Sequence, residues 1–435
     1  MALKWIKAFG IVLIIITVLL IIIIPRLNTY QSNGNILIKG LSKKVRVVRD
    51  KKGVAYIYAD SIGDAVFAQG FVTAQDRLFQ MEVMKLLAKG RISELIGKKG
   101  VVSDIRMRTF GFHRQAKVHA KKLDKESLLF IQRYIDGINA YIKNRQGTHH
   151  LEFTLAGIKP TLWNIEDTLS IYYLMGFQSA SNIETELFNY WMLERLGLSK
   201  ASELFALNIN PDETGEEKKH FKKIVPLTKF IQYLIKDKKF RDIIFQRSKR
   251  FGFGSNSWAI SSERSISGKP MLANDTHLQS NMIPGPLYPV GIIVKDDRFV
   301  GVNVPGIPGI IIGRNNHVAF GVTNAYSDFV DLYIETIDPK NKYRYLEGMI
   351  SYPFKVIKEK IKIKDNYSFK GYTEREIKIL QSKRGPVVSG IFSILPKNKV
   401  VTMRYAPFES MKNKISLSLL YKAQSIQEIR QALQY

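Results

Sequence analysis

The sequence predicts an α+β protein, and three observations carry that prediction. Apolar residues recur at helical spacing through three long stretches of the first half, and they switch to alternation after residue 255. An uncharged apolar run lies at the amino-terminal end. Helical stripes followed by a series of alternating segments are the pattern of segregated helix and sheet layers.

The 435 residues, 45% of them hydrophobic, suffice for one large domain or for two or three, and they can bury a substantial core. A net charge of +28 is carried mostly by lysines spread along the chain, without a block of arginines interleaved with aromatics. That surface suits anionic lipid, and no nucleic-acid partner is expected from it. With no cysteine, disulfides, thiolate chemistry and cysteine-held zinc are excluded. The seven histidines have none of the spacings of a zinc enzyme, and neither a Gly-x-Ser-x-Gly elbow nor a phosphate-cradling loop is present.

Taken in order, residues Ala8 to Pro25 are apolar, preceded by Lys4 and Lys7 and followed by Arg26. At 1.5 Å per residue about 18 residues just cross a hydrocarbon core of about 30 Å. No small-x-small cleavage site follows, so residues 1–30 read as an uncleaved transmembrane signal anchor. The leading lysines hold the amino terminus inside, which puts the rest of the chain on the periplasmic or extracellular side. Residues 31–44 form a polar tether. Val45 to Arg49 and Val54 to Tyr58 then alternate around Asp50-Lys-Lys-Gly53, the pattern of a β-hairpin.

A helix is expected over Phe71 to Lys89, ended by Gly90, because Phe71, Ala74, Leu78 and Met81 share a stripe with Phe79, Val83 and Leu86. A second runs from Lys125 to Lys143, with Asp124 as N-cap and Leu128, Ile131, Ile135 and Ile138 on one face. Pro160 and Trp163 mark a turn before a third, Ile165 to Phe177. From about Ser202 to Phe253 the sequence is lysine-rich with little amphipathic design, and reads either as a connecting segment or as a solvated helical hairpin. Strands are expected at Ser257 to Ser261, Met271 to Asn274, Val290 to Lys295, Arg298 to Val304, His317 to Val322 and Asp331 to Ile337, separated by Gly, Pro and Asp turns.

Ser255 follows the glycine-broken approach Phe251-Gly-Phe-Gly254. One reading is a turn serine that bonds its own backbone. The other is that the bond before it is cut, giving one residue both a hydroxyl nucleophile and an α-amine to act as base. That amine has a reference pKa of roughly 7.7 to 8.0, close enough to neutrality for the role. Asp328, Val330 and Asp331 offer two carboxylates and a carbonyl to a hard cation, or are ordinary turn residues.

Several blocks in order carry a resemblance. Ser255-Asn-Ser-Trp-Ala-Ile, Gly268-Lys-Pro-Met-Leu-Ala-Asn-Asp-Thr-His-Leu278, Pro305-Gly-Ile-Pro-Gly309, Gly313-Arg-Asn-Asn-His-Val-Ala-Phe-Gly-Val-Thr-Asn324, Asp328-Phe-Val-Asp-Leu-Tyr333 and Arg384-Gly-Pro-Val-Val388 resemble the β-subunit of the penicillin acylase family of N-terminal nucleophile hydrolases. Val48 to Ala59, Ala74 to Glu82 and Tyr134 to Ala140 are similar to its α-subunit.

The resemblance implies a four-layer αββα fold, incomplete at the C-terminus. Residues 45–204 would be the α-subunit-like helical region, 205–254 a spacer, and 255–435 the N-terminal part of the β-subunit. It implies autocatalytic cleavage between Gly254 and Ser255, with Ser255 as nucleophile and its own amine as base. His277 would orient the amine and the tetrahedral intermediate, and the backbone N–H of Asn324 would serve as an oxyanion donor. Asp328, Val330 and Asp331 would hold structural calcium with a loosely matched Glu184. Leu278, Ile312 and Val322 would line an aliphatic acyl pocket. The expected activity is amide hydrolysis of N-acyl substrates such as β-lactam side chains or N-acyl-homoserine lactones, with a separate C-terminal β-subunit polypeptide as a partner. The alternative is a catalytically inactive, membrane-anchored binding or interaction module.

Overall fold

The computed structural model describes residues 2–27, 30–145, 149–180, 182–204, 254–278, 282–324, 327–392, 394–395 and 398–434. The expected spacer lies outside the described residues except for Gly254. Helix α1 (Ala2–Leu27) contains the apolar window Trp5–Ile22, of mean hydropathy 2.8. Among the described residues it is the one helix long and apolar enough to cross a membrane.

The expected hairpin forms from β1 (Arg46–Arg49) and β2 (Ala55–Ala59). Asp50 makes its turn, because one carboxylate oxygen accepts the N–H groups of both Lys52 and Val54 at 2.9 Å. Helix α2 (Ile62–Ala88) starts well before the expected Phe71, capped by the Ser61 hydroxyl, which accepts the Asp64 N–H at 3.1 Å. The early turns escape a periodicity reading for a physical reason. Residues 64 to 75 are buried on every side, so no polar face marks the helix there.

Short helices α3 (Ser93–Ile96), α4 (Val101–Phe110) and α5 (Phe112–Ala120) lead to α6 (Lys125–Asn144). Asp124 caps α6 as expected, accepting the Ser127 N–H at 2.8 Å. Ile131, Ile135 and Ile138 are buried, but Leu128 is 38% exposed. Ser127 takes the inward place at this end of the helix instead, and its hydroxyl accepts the Ile415 N–H at 3.0 Å. Helix α7 (Leu151–Ala156) is followed by α8 (Ile165–Ala180) and α9 (Ile183–Leu204), which is broken at Gly197, where φ is 73°.

Helices α2 and α6 cross backbone to backbone. A Cβ on Gly70 would lie 2.0 Å from the Tyr134 carbonyl oxygen, and one on Gly137 would lie 1.9 Å from that of Phe67. Only glycine fits at both positions.

The second half supplies β3 (Gly254–Ile260), β4 (Met271–His277), β5 (Tyr288–Val294), β6 (Asp297–Asn303), β7 (Ile312–Arg314), β8 (Ala319–Phe320) and β9 (Val330–Ile337). Then follow β10 (Arg344–Glu347), β11 (Ile350–Pro353), β12 (Lys355–Lys364), β13 (Tyr372–Gln381), β14 (Val400–Tyr405), α10 (Ser416–Leu420) and α11 (Ile426–Ala432). One sheet has the order β1-β2-β5-β6-β7-β8, a second β11-β10-β9-β14, and the pairs β12-β13 and β3-β4 stand apart.

The pairing of β2 with β5 is parallel, Ala55 to Ala59 against Val290 to Val294. A strand from before the proposed spacer is thereby built into the sheet made after it. Buried Ala55, Ile57, Val290 and Ile292 share one core with Leu78, Met81, Ile131 and Ile135 of the helices. Gln69, fully buried in α2, ties the two halves again by donating to the Gly309 carbonyl at 2.8 Å and accepting the Gly309 N–H at 3.1 Å. Mixed helix and sheet content agrees with the α+β expectation.

Candidate functional site

Ser255 lies at the start of β3, half-buried, in a seven-pair antiparallel ladder with β4. The register sets Ser255 against Thr276 and Gly254 against His277. Side chains alternate across a strand, and directly opposed residues share a face. Ser255, Ser257, Asn274 and Thr276 therefore share one face, while Asn256, Asp275 and His277 share the other. The Ser255 hydroxyl donates to the carbonyl oxygen of Gly254 at 2.6 Å. His277 is thus one residue pair from Ser255 along the backbone, but its imidazole leaves from the opposite face, with Nε2 3.2 Å from an Asp275 carboxylate oxygen. Both of these side chains are largely exposed.

Asn274, on the Ser255 face, connects this hairpin to the segment that carries Asn324. Its amide nitrogen donates to the carbonyls of Asn256 at 3.0 Å and Val322 at 3.1 Å. Its amide oxygen accepts the Val322 N–H at 3.2 Å. This explains why the strand expected over His317 to Val322 shrinks to Ala319–Phe320, since both backbone groups of Val322 bond to a side chain rather than to a neighbouring strand. Asn324 follows two residues later, outside any strand and half-buried.

A second asparagine holds the far side of the same segment. Asn182, just before α9, accepts the N–H groups of Phe329 at 3.1 Å and Val330 at 2.8 Å, and donates to Asp328 at 2.5 Å and to the Val330 carbonyl at 2.9 Å.

Among the described residues no group of three or more His, Asp or Glu side chains converges closely enough to hold a metal ion. Near Asp328 and Asp331 a further carboxylate comes in from α9. Glu186, two residues beyond Glu184, accepts the Leu332 N–H at 3.3 Å. Burial pushes its carboxyl up to about 7, with the charges of Asp328 and Asp331 adding to the shift. Asp331 is likewise raised, first by burial and then by Asp328, against the opposing pull of Arg404, its partner in the β9–β14 register.

Of the expected pocket residues, Leu278 and Val322 are about half exposed and Ile312 is half-buried in β7. A cavity of about 260 Å³ lies elsewhere, between the tether and the helices, lined by Tyr30, Phe71, Gln75 and Tyr141 among others. The β3–β4 hairpin is open on both faces, with Trp258, Ile260, Met271 and Leu272 all exposed.

Sequence reasoning missed Asn274, Asn182 and Glu186 as site residues. For Asn274 a signal existed, because asparagine is disfavoured inside a strand and here sits in the middle of a motif block. Asn182 and Glu186 had none, since their roles exist only where α9 meets β9.

Comparison with known proteins adds a family. The family described as penicillin amidase matches residues 44–435. An acyl-homoserine lactone acylase, QuiP, of Pseudomonas aeruginosa is 30% identical over 315 residues, 71% of this chain and 36% of its own length. A penicillin acylase 2 proenzyme of a Pseudomonas species is 30% identical over 366 residues, 82% of this chain and 45% of its own length. The chain thus spans less than half the length of these two relatives. A solved thermostable penicillin G acylase from Alcaligenes faecalis aligns with 42% of this chain and 97% of its own at a TM-score of 0.34 and 24% identity. With the family's match running from the β1–β2 hairpin to the last residue, the chain belongs to the penicillin amidase family.

Proposed function

We propose that this protein is an acylase whose nucleophile is Ser255, freed by self-cleavage of the Gly254–Ser255 bond. In the uncut chain the Ser255 nitrogen is an amide without basicity, and cleavage turns it into an amine able to take the hydroxyl proton. Ser255 Oγ then attacks the carbonyl carbon of an N-acyl amide, the amine leaves, and water releases the acyl group. The Asn324 N–H meets the developing oxyanion, a donor typically worth about 3 to 4 kcal/mol. His277 orients the amine and the intermediate once cleavage frees the strand end and its imidazole comes round from the opposite face.

The observation that carries this reading is the junction of the β3–β4 register with the Asn274 bridge, which gathers Ser255, His277 and the Asn324 segment around one hairpin. Support also comes from the Ser255 hydroxyl, which bonds the carbonyl of the very peptide to be cut, and from relatives named as acylases.

The wider arrangement is part of the same proposal. Helix α1 anchors the chain in a membrane, leaving the remainder periplasmic or extracellular, and helices and sheets form a four-layer αββα domain. A further β-subunit polypeptide covers the open β3–β4 hairpin. Structural calcium is held by Asp328, Asp331, the Val330 carbonyl and Glu184, with Glu186 close by as a further candidate ligand. The aliphatic character of Leu278, Ile312 and Val322 favours a linear aliphatic acyl group.

Intact mass and amino-terminal sequencing of the expressed chain test the reading, together with hydrolysis of octanoyl and phenylacetyl amides. A fragment beginning Ser-Asn-Ser-Trp and faster octanoyl turnover are expected, and S255A should abolish both cleavage and hydrolysis. An uncut, inert wild type that S255A leaves unchanged would favour the inactive interaction module instead.

A further inference from the structure

We propose that Asn274 is a positioning residue that sets the oxyanion-binding segment against the nucleophile, an inference that rests on the roles just assigned to Ser255 and Asn324. Within β4, Asn274 stands directly opposite Ser257, two residues along the strand from Ser255 and on its face. Its amide spends all three of its described bonds on two backbones: the Asn256 carbonyl inside the nucleophile strand, and the N–H and carbonyl of Val322. One planar group thereby fixes the distance between the strand that begins at the nucleophile and the segment that presents the Asn324 N–H.

The fit is tight. A Cβ added to Gly321 would lie 3.0 Å from both Cβ and Cγ of Asn274 and 3.1 Å from Ser257 Oγ. The segment therefore rests directly on the hairpin at this point, and a larger residue would make Asn274 or Ser257 give way by a few tenths of an ångström. Asn182 holds Phe329 and Val330 through their backbone groups further along the chain. Transition-state stabilisation by a backbone donor depends on aiming it at the oxyanion before the reaction starts, and a donor released by a slack segment loses that advantage.

The test uses the full chain in its membrane-embedded or detergent-held form, as wild type, N274A and G321A. Two readouts are taken: kcat and KM for an N-acyl amide, and hydrogen exchange of the peptide covering residues 318–324. Loosening should lower kcat by about 10²-fold with KM nearly unchanged. It should also speed exchange in that peptide by about tenfold while the β5–β6 peptides stay protected. A residue that served only the fold would speed exchange without the split between kcat and KM.

Should N274A not fold, G321A carries the test, because it displaces the clamp while leaving the asparagine in place. Wild-type kcat and wild-type exchange in either folded variant would overturn the proposal. If the wild type itself hydrolyses no amide, the acylase reading fails, and exchange in N274A then decides separately whether Asn274 holds the segment at all.

Discussion

Burial raises the Glu186 carboxyl, with the charges of Asp328 and Asp331 adding to the shift, and the calcium proposed at this place would offset that cost. Millimolar calcium should therefore raise the melting temperature of the chain, since a ligand at a hundredfold excess over its Kd adds about 2.7 kcal/mol to the folded state. E186Q should shrink that shift by at least half while raising the melting temperature without calcium. Thermal scans that calcium leaves unmoved would remove the ion from the account. Ser255, His277, Asn324 and the Asp328-Val330-Asp331 group could be named as candidates from the sequence because each lies in a contiguous motif block. Glu186, Asn182 and Asn274 could not, because each acts on backbone that the sequence places 48 or more residues away.

At the level of elements, the glycine contact between α2 and α6 makes the strongest demand on sequence. G137A would drive a methyl group into the Phe67 carbonyl, so the helices must separate at the centre of the core. Overpacking of this kind costs about 1 to 3 kcal/mol, and a contact with rigid backbone belongs at the upper end. Urea unfolding should show the midpoint of G137A falling well below that of wild type. G390A, whose added Cβ meets nothing within 4 Å, serves as the control and should stay within about 0.5 kcal/mol.

The legibility of elements followed burial. Helices α6 and α8 and strands β5, β6 and β9 were readable from periodicity, whereas α2 loses its signal where it is buried all round. The long hairpin β12–β13 went unread although Lys and Ile alternate through Lys360 to Lys364. What that alternation does not disclose is its seat, where Ile361 and Ile363 pack on Val101 and Ile105 near α4.

For the whole molecule, the parallel seat of β2 beside β5 and the grip of Gln69 on Gly309 join the two halves through residues on either side of 205–253. If the Gly254–Ser255 bond is cut, the two pieces should still co-elute in non-denaturing gel filtration and separate only in denaturant. Elution of the smaller piece alone under native conditions would contradict this. The α+β class was legible from the switch of period near residue 255, but the parallel joint was not, because hydrophobic pattern specifies which residues are buried and not which strand lies next to which.

The same joint shapes the life history of the protein. Strands β2 and β5 stand more than two hundred positions apart, so the sheet closes late, after a long loop has been gathered in. While the chain is continuous that closure is intramolecular. Once the link is severed, an unfolded pair of fragments must find each other by diffusion, at whatever concentration the compartment provides. The mature form would then endure because it opens slowly, not because it can be rebuilt, and heat or denaturant would end its activity in one direction only.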